Sequence, residues 1–233
     1  MTEGWVKGNM FCPRCENLKI EQFTNNKPVA DFYCPNCNNQ YELKSKSGIL
    51  GDRVNDGAYR TMIDRITSST NPDFFFLCYD PKNQKVTSFV IVPKHFFAPN
   101  MIEKRKPLSE TARRAGWTGC NILLNVVPAQ GRIFIIKNGI VVDRQIVLAQ
   151  LSRSHSLETR DVEARGWLFD VLNCVNAIAS DKFTIEKIYE FEPLLSAKHP
   201  ENNNVKAKIR QQLQFLRDRG YIKFLDRGQY IKI

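Results

Sequence analysis

Two Cys-x-x-Cys pairs, Cys12-Pro13-Arg14-Cys15 and Cys34-Pro35-Asn36-Cys37, stand 18 residues apart near the start of this 233-residue chain. Each pair can present two thiolates from one tight turn, and two such turns complete a tetrahedron around zinc at Zn–S distances of about 2.3 Å. The spacing falls in the range of zinc ribbons. Thiolates at all four positions leave no place for water, so the ion expected here is structural rather than catalytic. A redox pair or a labile iron site would use the same residues. The remaining cysteines, Cys78, Cys120 and Cys174, lie singly in apolar surroundings. In a reducing compartment paired cysteines mean metal more often than disulfides.

A zinc site so placed constrains the chain on either side of the second pair. Residues 28–33 lead into it and residues 40–44 lead out, so the two segments are expected to form a hairpin with Cys34 and Cys37 at its tip. In a strand, positions i and i+2 share a face, which puts Glu42 and Lys44 together. If the hairpin forms, Asp31 lies beside that face. Two carboxylates suit a hard cation such as Mg²⁺, with the backbone carbonyl of Leu43 as a further oxygen ligand. Such an ion binds a phosphate oxygen and acidifies a water. Lys44 can orient or deprotonate that water and offset charge on the phosphorane. The pattern Asp-x10-Glu-x-Lys is weak alone, since alternating charges on a strand commonly form a solvated face. It gains weight here from the zinc-braced hairpin, the helix and apolar strands that follow, and a second module of DNA-binding type.

Charge points to a polyanion. The formal net charge is +10. Residues 1–154 carry 21 Lys and Arg against 13 Asp and Glu, and residues 155–233 carry 13 against 11. A basic balance of this kind favours DNA or RNA as partner. Hydrophobic content of 42% and charged content of 25% are ordinary for a soluble globular chain. The sequence has no run of about 18 apolar residues and no basic segment followed by an apolar one at its start. The expected location is the cytoplasm, with no membrane and no obligate protein partner implied.

Along the chain, residues 56–66 read as a short helix, with Ala58, Met62 and Ile66 at i, i+4 and i+8. The runs Phe74-Phe75-Phe76-Leu77-Cys78-Tyr79 and Phe89-Val90-Ile91-Val92 read as strands buried on both faces. Residues 121–127, 132–137 and 140–142 add β-like segments, with Asn138-Gly139 as a hairpin turn. Polar residues 152–164 mark a boundary between domains of residues 1–154 and 155–233. Beyond it, Trp167, Val171, Val175 and Ile178 form a helical stripe. Thr184 is an N-cap for a short helix ending near Phe191, ahead of Pro193. Asn203 or Asn204 caps a third helix with Val205, Ile209, Leu213 and Leu216 inward, stopped by Gly220. Two short strands joined by Asp226-Arg227-Gly228 close the chain. Three helices and a terminal hairpin is the order of a winged helix. The expected fold class is α/β (α+β): a nuclease-type core with an embedded four-cysteine zinc site, followed by a winged helix.

The order Asp…Glu-x-Lys before a helix and two core strands resembles the PD-(D/E)xK nuclease superfamily, and within it the DpnI family of methyl-directed type II restriction endonucleases. The resemblance is carried by Asn26-Lys27-Pro28-Val29-Ala30-Asp31-Phe32-Tyr33-Cys34, Glu42-Leu43-Lys44-Ser45-Lys46, Asn55-Asp56-Gly57-Ala58-Tyr59, Asn71-Pro72-Asp73-Phe74-Phe75-Phe76-Leu77 and Arg105-Lys106-Pro107-Leu108. Further stretches are Thr111-Ala112-Arg113-Arg114-Ala115-Gly116-Trp117, Gly119-Cys120-Asn121-Ile122 and Lys208-Ile209-Arg210-Gln211-Gln212-Leu213. It implies a double-strand cut at Gly-Ala-Thr-Cys sites carrying N6-methyladenine, read by both a catalytic domain and a winged helix. Metal ligation passes to Asp31 and Glu42, the lysine role to Lys44, and zinc ligation to the four cysteines. Two departures accompany it. Ala30 precedes the Asp where the motif has Pro, and eleven residues precede Cys12 where the family usually has a longer helical segment.

Burying one methyl group stabilises by about 0.8 kcal/mol, about fourfold in affinity. A pocket rarely discriminates one methyl by more than about 1–3 kcal/mol. Strict methyl dependence therefore calls for several readings multiplied. Trp117 is the candidate apolar wall, with Arg113 and Arg114 for phosphates or guanine edges. Ordinary core packing would explain Trp117 about as well. In the winged helix, Lys206, Arg210, Gln211 and Gln214 lie away from the apolar stripe and can enter the major groove; a solvated face is their plainer use. Arg227 in the wing can touch phosphate, and Lys104-Arg105-Lys106 suits backbone contact. His95, His155 and His199 are scattered and receive no role. Two other functions compete: a repair or junction nuclease of the same superfamily, and a zinc-ribbon, winged-helix regulator without catalysis, which would need none of Asp31, Glu42 and Lys44.

Overall fold

The computed structural model describes residues 2–24, 30–68, 70–159 and 161–233. Residues 26–29 of the first matching stretch, Pro28 among them, lie outside the described residues. The chain divides into two compact units, Met1–Glu158 and Thr159–Ile233. The division falls four residues beyond the 154/155 boundary expected from composition, because a helix runs through to His155 and Leu157 behind it is fully buried.

In the first unit the elements are α1 (Thr2–Asn9), β1 (Glu21–Gln22), β2 (Phe32–Tyr33), β3 (Gln40–Ser47), β4 (Arg53–Ala58), α2 (Tyr59–Ile66), β5 (Asp73–Asp80), β6 (Lys85–Val92), β7 (Ile102–Lys104), β8 (Gly119–Leu123), β9 (Ile133–Lys137), β10 (Ile140–Val141) and α3 (Arg144–His155). Among the described residues, seven strands form one sheet in the order β1-β2-β3-β5-β6-β9-β10, and β4-β8-β7 form a smaller one. β3 and β5 run parallel, with Glu42 opposite Phe74 and Lys44 opposite Phe76. A parallel pair needs a crossover connection, and β4 with α2 supplies it. β5 lies between β3 and β6 and is buried from Asp73 to Cys78, as its uninterrupted apolar run implied. The other sheet pairs are antiparallel.

Alternation along the strands separates two faces. Tyr41, Phe75, Leu77, Phe89 and Ile91 belong to one core with Val6 of α1, Ile20, the buried Cys12 and Cys34, and Val147 and Leu151 of α3. Trp5 packs edge-on to Phe89 at 5.7 Å. A short helix thus does stand ahead of Cys12, with its apolar side on the sheet. The opposite face carries Glu42 and Lys44.

Two elements differ from their sequence reading. Residues 56–58 belong to β4, not to a helix, because residues 53–58 pair with β8, and the register slips between Asp56 and Ala58. Gly57 suits such a bulge and is a poor helix former. Only residues 59–66 keep the helical period. Strand pairing likewise ends at Leu123; residues 124–126 form a 3₁₀ turn, with the Leu124 N–H bonded to the Asp52 carbonyl. The Asn138-Gly139 turn joins β9 to β10, both residues at positive φ (52° and 76°), as a two-residue hairpin requires.

The second unit contains α4 (Val162–Ala177), β11 (Lys182–Thr184), α5 (Ile185–Tyr189), α6 (Glu192–Lys198), α7 (Val205–Asp218), β12 (Ile222–Asp226) and β13 (Gln229–Lys232). The strands form a sheet in the order β11-β13-β12, so the terminal hairpin is a wing completed by a third strand. α4 is buried well beyond one stripe, continuously from Arg165 to Leu172. Thr184 caps α5, its hydroxyl accepting from the Lys187 N–H. Pro193 does not merely end that helix. It opens α6, where a first-turn proline loses no hydrogen bond. Asn204 stands at the N-cap of α7 without a side-chain cap bond, and Gly220, at φ 73°, terminates it. The architecture is mixed α/β with a sheet core followed by a helical unit. Among the described residues no helix is long and apolar enough to cross a membrane.

Candidate active site

The cysteine pairs occupy two turns of the same construction. The Cys12 N–H donates to the Asn17 carbonyl (2.8 Å) and the Glu16 N–H to the Cys12 carbonyl (2.9 Å). Likewise the Cys34 N–H donates to Asn39 (2.9 Å) and the Asn38 N–H to Cys34 (2.9 Å). Glu16 and Asn38 each follow their pair at positive φ, 62° and 57°. The four sulfurs lie within 4.8 Å of one another, with Cys12–Cys37 at 3.6 Å and Cys15–Cys34 at 3.5 Å. Sulfurs about 2.3 Å from a shared tetrahedral ion would be about 3.8 Å apart. The set is therefore compatible with zinc. Tyr41 Oη lies 3.0 Å from Cys12 Sγ. Burial opposes ionisation of Cys15, but the hydrogen bonds from the Asn36 side chain and the Asn17 backbone, with those of the neighbouring thiols, bring it down to about 6.

The hairpin forms as expected, with Phe32 opposite Tyr41 and Tyr33 opposite Gln40, and the second pair at its tip. One residue before β2, the Asp31 N–H donates to the Tyr41 carbonyl at 2.9 Å. The Asp31 carboxylate accepts from the Leu43 N–H at 2.6 Å through Oδ2. A residue's N–H and C=O project to the same side of a strand, so the Leu43 carbonyl faces the edge where Asp31 lies. Glu42 and Lys44 share the adjacent face, Nζ to Oε1 at 2.8 Å. Lys44 is bracketed from its other side by Asp56 of β4, which also pairs with Nζ. A cleft of about 280 Å³ opens here, lined by Glu42, Lys44, Asp56, Thr61, Met62, Arg65 and Phe74.

Burial sets the electrostatics. Desolvation raises the pKa of Asp31, against the Leu43 N–H and Lys44, which lower it; the charges of Glu3 and Asp56 raise it further. Desolvation likewise raises Glu42, with Lys44 opposing and Asp31 and Asp56 reinforcing. For Lys44 burial pulls downward, but Asp56 and Glu42 outweigh it and the ammonium is favoured. A hard oxygen donor set with raised carboxylate pKa values fits a divalent cation, whose charge would relieve the mutual repulsion. Arg65 lines the same cleft, bonded to Thr70 and Gln40, and its Nε has no partner among the described residues.

Sequence reasoning missed Asp56 as a partner of Lys44, since it was read as the start of a helix. It also missed Glu3, which accepts from Gln22 at 2.5 Å and whose charge reaches Asp31. Nothing in local spacing signals either; both contacts depend on strands and helices meeting across the fold.

The residues expected to meet DNA fall into two groups, one in each unit. Arg113, Arg114 and Trp117 lie in the loop between β7 and β8. The Arg114 guanidinium stands over the indole at 4.7 Å. The indole lies against Gly119, where an added Cβ would meet Cη2 at 2.8 Å. Trp117 is half-buried and the two arginines are exposed. On α7, Lys206, Arg210, Gln211 and Gln214 are all exposed, as is Arg217. Lys206 pairs with Glu192 (3.4 Å), and Arg210 donates to Tyr189 Oη (2.7 Å). Arg227 is exposed in the wing turn. Of the histidines, His95 and His155 come together, rings 5.7 Å apart. His199 stacks on Trp167 at 3.9 Å and bonds the buried Asp170 at 2.9 Å.

Comparison with known families places the whole chain. Residues 1–160 match the model of the DpnI, or Dam-replacing, family. Residues 163–232 match the helix-turn-helix domain of the same family, described as the Dam-replacing HTH domain. The family implies a methylation-dependent restriction nuclease acting on DNA. Built from a cysteine-tipped hairpin, a cleft lined by both acidic and basic side chains and a trailing helix-turn-helix unit, the chain belongs to the DpnI family.

Proposed function

We propose that this chain is a Mg²⁺-dependent type II endonuclease that cuts both strands of DNA at GATC sites carrying N6-methyladenine, and that it acts in the cytoplasm. The observation that most supports the reading is that Asp31, held by the Leu43 N–H, stands beside β3 next to Glu42 and Lys44, which are paired with each other and line a cleft. Asp31, Glu42 and the Leu43 carbonyl would hold Mg²⁺, and Cys12, Cys15, Cys34 and Cys37 would hold zinc. Bound Mg²⁺ supplies positive charge to a phosphate oxygen and acidifies a water. Asp31 keeps one orientation because Leu43 N–H grips Oδ2. Lys44, paired with Glu42 and Asp56, would orient or deprotonate that water and offset charge on the phosphate. Arg65 offers a second cation at the cleft for a phosphate oxygen.

In this reading residues 1–154 cut and residues 155–233 form a winged helix that grips DNA. Trp117, backed by Arg114 and Gly119, offers an apolar face to the methyl groups, and Arg113 and Arg114 meet phosphate or guanine. Lys206, Arg210, Gln211 and Gln214 enter the major groove and Arg227 meets the backbone.

Plasmid from adenine-methylating and non-methylating hosts, incubated with the protein and Mg²⁺, tests this directly. Cutting of the methylated plasmid alone is expected. Cutting of both would replace it with a nuclease of other specificity, such as a repair or junction enzyme. Binding without any cutting would replace it with a zinc-ribbon, winged-helix regulator. Trp117→Ala should lower the methylated-to-unmethylated cleavage ratio by about tenfold.

A further inference from the structure

We infer that Asp56 is a positioning residue for Lys44, holding its ammonium in the cleft when the charge of Glu42 is committed to a cation. The inference rests on the metal-dependent cleavage proposed above. Lys44 has two anionic partners on different strands. Glu42 is its neighbour on β3, at i−2, and Asp56 reaches it from β4 of the smaller sheet. A cation bound at Glu42 would compete with an ammonium 2.8 Å away for the same carboxylate. With Glu42 alone, Lys44 would then be a half-buried charge without an anion, which is costly. Asp56 supplies an anion outside the strand that carries the metal ligands.

The strand is shaped for this contact. Asp56 lies where the β4–β8 register slips, opposite Cys120, with Ala58 next in register opposite Gly119. A bulge of this kind re-aims a side chain. Oδ1, the oxygen that meets Lys44, also accepts from the Gly57 N–H at 2.7 Å, so the carboxylate is pinned by its own backbone. Its side chain is only 10% exposed, against 18% for Lys44, so solvent screens the pair little. Asp56 need not touch substrate or cation. It fixes the place of the residue that does.

The full-length protein tests this through Asp56→Asn and Asp56→Glu, each first verified for zinc content and thermal midpoint. In Asp56→Asn, kcat should fall by about ten- to a hundredfold while KM stays within about twofold. Asp56→Glu, which restores the charge, should recover part of the loss. Adding Asp56→Asn to Lys44→Ala should cause no further loss, because both remove one function. Two readouts need no turnover. Ca²⁺ affinity by calorimetry should stay within about twofold, and acylation of Lys44 by an amine-reactive reagent in Ca²⁺, read by mass spectrometry, should rise several-fold. Unchanged kcat and Lys44 reactivity would overturn the inference. Losses that multiply in the double variant would do the same, as would Ca²⁺ affinity weakened about tenfold, which would make Asp56 a metal ligand. If the wild-type protein cuts no DNA, the cleavage reading fails, and the Lys44 reactivity arm still decides the contact.

Discussion

At the scale of single residues, the site is a set of ionisable groups held partly out of water. Asp31→Ala should remove an anchored cation ligand worth several kcal/mol, so cleavage should fall at least about a hundredfold. Zinc content should be unchanged, and a variant that still cuts at the wild-type rate would remove Asp31 from the site. A pH dependence follows from the raised pKa values of Asp31 and Glu42. Both lie above their ordinary 3.8 and 4.5 in the fold. Without a cation, the two groups therefore favour the folded state at low pH, and that contribution is lost as pH rises through their raised values. A divalent cation needs both ionised and reverses the preference. Thermal stabilisation by Ca²⁺ should thus be full at neutral pH and fade as pH falls, beginning above the ordinary carboxylate values. A Ca²⁺ shift that persists unchanged through that range would contradict this ionisation scheme.

At the scale of elements, the hairpin of β2 and β3 is very short, with Phe32–Tyr41 and Tyr33–Gln40 as its paired positions. Two residues of pairing cannot hold Asp31 against Leu43 unaided. The cysteine turns close the far end, and Cys12 and Cys34 are fully buried in the core beneath. Removing zinc with a chelator, or replacing Cys34 by Ser, should lower the thermal midpoint by about 10 °C or more. It should also abolish cleavage with Mg²⁺ present; full activity in zinc-free protein would break the link between brace and site. The loop between β7 and β8 is fixed differently, by Trp117 resting on Gly119. Gly119→Ala places a methyl 2.8 Å from the indole, so the ring must move at a cost of about 1–3 kcal/mol. Its methylated-to-unmethylated cleavage ratio should fall as it does for Trp117→Ala. A ratio equal to wild type would mean that the ring's seat is irrelevant to reading.

At the scale of the molecule, two units each expose basic residues, and the net charge of +10 makes phosphate contact a large share of binding. If four or more phosphates are neutralised, affinity should drop by about tenfold or more for each doubling of salt. Arg227→Ala should reduce the salt slope by about one, uniformly across sequences, whereas Lys206→Ala and Arg210→Ala should each cost about 1–3 kcal/mol of binding and relax the sequence preference. Binding and sequence preference indifferent to both α7 changes would take that face of α7 out of the major groove.

Much of this protein is legible in the chain itself. The cysteine spacing needs only two tight turns and one ion, so Cys12, Cys15, Cys34 and Cys37 announce their assembly locally. The alternation of Glu42 and Lys44, the apolar run of β5, the Asn138-Gly139 turn, and the Thr184 cap are likewise local effects of backbone period and turn chemistry. Tertiary structure decided what those periods could not. Residues 56–58 became strand rather than helix because β8 offered them hydrogen bonds, and that pairing brought Asp56 to Lys44 from another sheet. Pro193, read only as the stop behind a short helix, also opens the next one, where a first-turn proline loses no hydrogen bond. The sequence determined that a hairpin with a cysteine pair at its tip would carry Asp31, Glu42 and Lys44. Only the fold, by burying their charges together, decided how Lys44 is held between two carboxylates.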